Sequence, residues 1–308
     1  LNALKEWQIN MVFHKEINLV ALGGGHGLGK VLNTFADFGP KLTGIVATTD
    51  NGGSTGKLRD AFDCIAWGDL RNCLTHLAGK DSLGAKLLEY RFGDAELKGH
   101  SIGNLVFYAL EQLDFSPVEV IELTRRMLKV ESRLYPMSEQ PTHLRSIYPD
   151  GNIILGETNV DASHLPVPES IELTDPVTAP TRVLRAIQQA DFIILSPGSF
   201  FTSLLPALLM TDITQALIQS QAKVILIDNL VAEIGPASQL NLNDKINWLK
   251  KHHPQMKVDA VLTQHSEKLE DHSIYQLVTE LSEPEPKHYH HNEQKLRLAM
   301  EEVFTHLV

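Results

Sequence analysis

Residues 17–59 constrain the chain most. An apolar run (17–22) is followed by the glycine cluster Gly23-Gly24-Gly25-His26-Gly27-Leu28-Gly29, a second apolar run (42–47) and a polar loop, Thr48 to Arg59. Unbroken apolar runs of this length suit strands buried on both faces, and Leu28, Val31, Leu32 and Phe35 recur at helical spacing between them. The pattern therefore predicts strand, anion-binding turn, helix, strand and polar loop. Gly39-Pro40 is a suitable helix stop. In an open parallel sheet the loops leaving neighbouring strands share one crevice, so both glycine-bearing loops are expected to face the same ligand.

The same α/β alternation returns after residue 180. A helix is expected at about 181–190, a strand at 192–195, a loop at 196–203, and a strand at 223–227 ending in Asp228-Asn229. A helix at about 243–252 capped by Asn243, a strand at 258–263 and an amphipathic helix at 294–307 complete the pattern. Residues 57–129 read as helical, and about 131–178 as a small antiparallel β excursion. The expected fold class is thus α/β: a Rossmann-like three-layer core with a mainly parallel sheet, a β excursion and a helical layer. Residues 17–308 are expected to be a single domain, preceded by a leader (1–16) with no assigned function.

The charge balance narrows the partners. Lys and Arg total 27 against 38 Asp and Glu, giving −11, which argues against duplex nucleic acid. An anionic ligand must be held by local geometry. Cys64 and Cys73 make no disulfide framework or zinc ribbon and favour a reducing, cytoplasmic setting. No apolar run approaches membrane-spanning length, so no membrane partner is expected. A homodimer is expected, as is common for α/β cores of this size.

The glycine cluster offers backbone N–H groups at a helix N-terminus, an anion site without basic side chains. Gly24 to Lys30 fits G-x-x-x-x-G-K, but Val31 replaces the hydroxyl that would bind magnesium in a P-loop; that weaker reading, a P-loop-like NTPase, would use Lys30 with Asp228 as the magnesium-holding acid. Asp50-Asn51-Gly52-Gly53-Ser54 leaves the second strand; Asp50 there can bind ribose, hold magnesium, accept a proton or close an Asx turn. Asp69-Leu70-Arg71-Asn72 pairs an acid that could cap a helix with a guanidinium suited to phosphate. Gly99 to Asn104 adds His100 and Asn104 as possible ligand contacts. Pro197-Gly198-Ser199-Phe200-Phe201-Thr202-Ser203 places hydroxyls at a helix start, and Asn229 stands ready for a base or sugar. The 288–291 cluster, His-Tyr-His-His, reads as a solvated segment.

Five of these stretches, in order, carry a resemblance: Ala21 to Leu28, Thr49 to Ser54, Gly68 to Asn72, Gly99 to Leu105, and Pro197 to Ser203. The chain resembles the gluconeogenesis factors of the YvcK-like type, in the superfamily that includes 2-phospho-L-lactate transferase. One branch of that superfamily uses magnesium to move a phospholactyl group from a guanosine diphosphate species to a deazaflavin alcohol. The other binds UDP-sugars and supports growth and cell shape on gluconeogenic carbon sources. This chain is more similar to the second, because Asn51 stands where the transferases carry a second acid and His26 replaces the commoner Thr. The resemblance implies diphosphate binding by Gly24, Gly25, His26, Gly27, Arg71, Pro197, Gly198, Ser199, Thr202, Ser203 and Asn229. It implies sugar contacts from Asn51, Ser54, Asp69, Asn72, His100 and Asn104, and leaves Asp50 as the possible magnesium ligand or catalytic group. The expected function is a nucleotide-sugar-binding regulator with a protein partner; the alternative is a magnesium-dependent transferase acting on a nucleotide diphosphate ester.

Overall fold

The computed structural model describes residues 17–79, 81–287 and 289–308; the expected leader lies outside them. The described strands are β1 (Leu19–Gly23), β2 (Leu42–Val46), β3 (Arg133–Pro136), β4 (Leu144–Ile147), β5 (Ile153–Leu155), β6 (Ser170–Leu173), β7 (Phe192–Leu195), β8 (Lys223–Ile227), β9 (Ala260–Thr263) and β10 (Tyr275–Val278). Seven form one sheet in the order β10-β9-β8-β7-β1-β2-β3, and every pairing in it is parallel. The remaining three make the antiparallel sheet β5-β4-β6.

Burial on both faces explains the unbroken apolar runs. In β1, Leu19 and Ala21 enter one hydrophobic core while Val20 and Leu22 enter the other, following the two-residue period of a strand. The first core is closed by α1 (Gly25–Thr34) and the C-terminal helix. There Phe304 packs on Phe192 and Phe35, with ring centroids 4.4 and 6.1 Å away. Each such fully buried side chain contributes roughly 1.5–3 kcal/mol through removal from water.

Beside α1 lies the helical layer, made of α2 (Gly53–Ala61), α3 (Trp67–Ala78), α4 (Leu83–Glu89), α5 (Ile102–Glu111) and α6 (Pro117–Met127). The short helix α7 (Glu157–Asp161) belongs to the β excursion. The second core is covered by α8 (Thr181–Gln188), α9 (Thr211–Gln219) and α10 (Leu242–His252), and α11 (Glu293–Leu307) ends the chain. No single described helix is long and apolar enough to cross a membrane.

Three expectations change. Residues 133–136 leave the excursion and join the main sheet as β3, because Leu134 packs fully buried against β2. Strand β10 was not expected; its residues are half-exposed or exposed at the sheet edge, so its apolar signal is weak. Asn241, not Asn243, caps α10: its side chain accepts the Asp244 N–H at 2.9 Å while Asp244 accepts the Asn241 N–H at 3.0 Å, a capping box. Asn243 instead donates to Glu267 and to the Lys268 carbonyl.

The helical layer is held by Arg71, which is only 1% exposed. Its guanidinium donates to Glu89 of α4 (3.1 Å), to Ser101 and to Asn104 Oδ1 of α5 (2.9 Å), and to Asn72 Oδ1 (2.7 Å). The polar stretches Asp69-Leu70-Arg71-Asn72 and Gly99 to Asn104 are thus two sides of one buried knot. Arg71 serves helix packing, with four acceptors of the protein around it, in place of the phosphate contact expected from the sequence. Breaking such a network leaves its acceptors unpaired. Arg71→Ala is expected to cost about 3–5 kcal/mol in denaturant unfolding, whereas Leu298→Ala on the exposed face of α11 stays within about 0.5 kcal/mol. A cost below about 1 kcal/mol for the arginine variant would contradict this role.

Candidate functional site

Strand order reverses beside β1: β2 lies on one side of it and β7 on the other, so the loops after β1 and β7 open on a switch-point crevice. The loops are in close contact. The Pro197 carbonyl oxygen lies 1.9 Å from the place a Cβ on residue 27 would occupy, and Ser203 Cβ lies 3.3 Å from the corresponding place on residue 24. Gly24 and Gly27 therefore permit the approach of two backbones, and Gly25, with φ of 54°, turns the chain into α1.

The anion-type donors expected here are present, and the protein's own carboxylates meet them. Asp69, in the first turn of α3, accepts the Gly25 N–H. Ser199 and Thr202 donate their hydroxyls to Asp161 of α7, at 3.2 Å for Ser199 and 3.0 Å for the nearer Thr202 contact. The Phe200 N–H donates to Glu233 Oε2 at 2.7 Å. Glu233 is anchored in turn by Lys245 at 2.8 Å, which also reaches Asp228 at 3.4 Å in a buried triad. Burial works against the charge on Lys245, but Glu233 and Asp228 outweigh it and hold its pKa above the ordinary value.

The loop after β2 supplies the remaining wall. Asp50 Oδ1 accepts the Gly52 N–H at 2.8 Å, closing an Asx turn, while Oδ2 lies beside Gly68 of α3. Asn51 turns the other way: its Oδ1 accepts the Thr158 N–H (2.9 Å) and hydroxyl (3.1 Å), tying down the first turn of α7. Arg59 is 9% exposed and donates to the Thr49 and Asp50 carbonyls, both at 2.9 Å, and to that of Thr142. It clamps this loop to the start of the excursion.

Asp50, Asp69, Glu157 and Asp161 thereby crowd one crevice. Burial, then the charge of Asp50, pushes Asp69 up to about 7 against the opposing pull of the Gly25 N–H and Arg71. Burial and the charges of Asp69, Asp50 and Asp161 push Glu157 well above the ordinary carboxyl range. Asp161 is raised by burial too, although Thr202 and Ser199 oppose the shift. The sequence reading missed Glu157, Asp161, Glu233, Lys245 and Arg59. Their only local signal was acids four apart in a short helix, which means little until α7 is seen docked.

The other expected contacts fall into supporting places. Asn229 is saturated by Gly198, accepting its N–H at 2.9 Å and donating to its carbonyl at 2.7 Å, with a further bond to Glu233. Asn104, 1% exposed, lies between Arg71 and Thr55. Ser54 accepts the Ser101 N–H at 3.2 Å and lies 3.4 Å from His100 Nδ1. His26 is exposed and meets the edge of His76, with centroids 5.8 Å apart. Lys30 pairs with Glu293 at 2.9 Å, so the P-loop reading loses its lysine to the C-terminal segment. Of the expected solvated cluster, Tyr289 and His290 are exposed, but His291 is 6% exposed and donates to the Asp228 carbonyl; His288 lies outside the described residues. Among the described residues no three His, Cys, Asp or Glu side chains have metal-holding spacing.

The comparisons agree with this architecture. A family model described as "2-phospho-L-lactate transferase CofD" matches residues 19–305. The chain is 43% identical over 291 residues to a Yersinia pestis protein named "Putative gluconeogenesis factor", covering 94% of each chain. It is 42% identical over 294 residues to a Pasteurella multocida protein of the same name, again covering 94% of each. A crystal structure of a UPF0052-family protein from Bacillus halodurans superposes with a TM-score of 0.85 at 27% identity, over 93% of this chain and 99% of that one. With the family model spanning nearly all of its described length, the chain belongs to the 2-phospho-L-lactate transferase (CofD) family, alongside relatives named as gluconeogenesis factors.

Proposed function

We propose that the crevice binds a nucleotide diphosphate ester of the UDP-sugar kind and that its occupancy is passed to a protein partner. The chain would then be a cytoplasmic regulator supporting growth and cell shape on gluconeogenic carbon. One observation carries this reading: the Gly25 and Phe200 N–H groups and the Ser199 and Thr202 hydroxyls converge at the switch point, held by internal carboxylates. A diphosphate competes for donors of this kind. Displacing Asp161 would release α7, whose excursion carries Ile153 and Leu155, 57% and 56% exposed, as an outward apolar surface for a partner. Like charges in the crevice would oppose an anion, so a divalent cation or protonation must accompany it.

A second reading, a magnesium-dependent transferase, draws on Asp50 and Asp69. Asn51 caps α7, so an amide at that position takes no charge from this pair. Two adjacent carboxylates suit magnesium, which binds through one or two acids and completes its shell with water and phosphate oxygens. When bound, the ion would neutralise phosphate charge and polarise the transferred group. Asp69, with its proton affinity near neutrality, could hold or release a proton at the reacting oxygen.

Isothermal titration with a UDP-sugar and with GDP, each with magnesium, tests the first reading: micromolar binding is expected, about tenfold tighter in Asp161→Asn, which removes the competing charge. Absence of binding to either nucleotide would end it. Asp69 also gives a pH test. In the unfolded chain it ionises near 3.8, whereas in the folded chain it keeps its proton to about 7, so the folded state loses stability as pH rises between these values. Asp69→Asn is expected to stabilise the protein by about 1–3 kcal/mol near pH 8, the gain vanishing toward about pH 4; an equal effect at both pH values would contradict the assignment. For the transferase, magnesium-dependent turnover of a nucleotide diphosphate ester should disappear in Asp50→Ala, and wild-type protein without any such turnover would rule it out.

A further inference from the structure

A cavity of about 700 Å³ lies beside the glycine loop, walled by α1, α3, α4 and the 283–293 segment. Its volume suits a small metabolite. The acids on its walls are already engaged: Glu89 holds Arg71 and Thr75, while Glu283 and Glu293 flank Lys30 at 3.8 and 2.9 Å. The ammonium groups of Lys86 and Lys287, also on the walls, have no described ion pair. Two exposed ammonium groups thus face this space beside three engaged acids, in a chain whose net charge is −11.

Three imidazoles, of His26, His76 and His290, also line the space. His76 uses Nδ1 on the Asn72 carbonyl at 2.8 Å, which leaves Nε2 as its remaining ring nitrogen. Partial desolvation of its ring, then the neighbouring His76, lowers the pKa of His26; Glu89 opposes the shift, and Arg71 and His290 add to it. Burial and then Lys30 and Lys287 lower that of His290, Glu283 alone opposing. Positive groups repel one another around this space, and an anion placed among them would relieve the repulsion and favour protonated imidazole.

We propose that this cavity binds a small polyanion, a metabolite carrying at least two carboxylate or phosphate groups, at a site separate from the nucleotide crevice. The donors would be Lys86, Lys287, His76 and His290, with His26 at the boundary between the two spaces. With Glu89 held by Arg71 and Thr75, and Glu283 and Glu293 sharing Lys30, Lys86 and Lys287 are the wall lysines that the ligand would meet. Binding would tighten as the pH falls and His290 and His26 take up protons.

Titration calorimetry of wild-type protein with citrate and with pyrophosphate, at about pH 6 and pH 8, tests the proposal beside the Lys86→Gln/Lys287→Gln double variant. Both lysines are exposed, so the variant should fold, and an unchanged melting temperature checks this. Wild type should bind at least one probe at the lower pH, about tenfold more weakly at the higher pH and about tenfold more weakly in the double variant. Citrate binding alone would assign the site to carboxylates, and pyrophosphate binding alone to phosphates. No binding of either probe at the lower pH, or equal binding by the double variant, would overturn the proposal. Loss of nucleotide binding in the double variant would also overturn it, by merging the cavity with the crevice. Failure of wild type to bind nucleotide, with polyanion binding intact, would count against the crevice reading alone.

Discussion

The contact of two backbones at the switch point governs the site. With the Pro197 carbonyl filling the space that a side chain on residue 27 would need, the loops of β1 and β7 are locked into one surface. The surface can form only because the parallel strands beneath are buried on both faces and fixed in register. Donors from α1 and from the Phe200 turn then point into a common crevice, where internal carboxylates satisfy them. The site is therefore built as a closed hydrogen-bonded set rather than as open amides awaiting phosphate.

That closure changes what an acidic crevice means. Burial and neighbouring carboxylates raise the proton affinity of Asp69 and Glu157, burial and Glu233 raise that of Asp161, and the nearby basic residues are engaged elsewhere: Arg71 in helix packing, Lys30 with the C-terminal segment and Lys245 with Glu233. A cation, a proton or a displaced side chain must accompany any bound diphosphate. The regulator and transferase readings differ in which of these dominates. Under the regulator reading, displacement of Asp161 would move α7; under the transferase reading, a cation between Asp50 and Asp69 would leave it in place.

The architecture was legible because burial imposes its period directly on the residues: the βαβ unit, the later α/β alternation and the antiparallel excursion all appear as runs and turns. The edge strand β10 was not, since half-exposed residues lack that period. The crevice loops were legible from their glycines and hydroxyls. Their partners were not, because Asp161, Glu157 and Glu233 come from segments distant in sequence whose docking depends on tertiary contacts. Arg71 misled for a related reason: a guanidinium suits phosphate and a buried cluster of acceptors equally well, and only the positions of Glu89, Ser101 and Asn104 decide between them. Asn51 shows the same ambiguity: the amide that stands where the transferases carry an acid also accepts the Thr158 N–H in the first turn of α7.

Hydrogen exchange of the protein with and without saturating UDP-sugar and magnesium addresses ligand-driven release of α7 directly. Competition between the diphosphate and Asp161 should slow exchange at the amides of residues 25–28 and speed it across 157–161. Protection of residues 25–28 with unchanged or slower exchange across 157–161 would contradict that release.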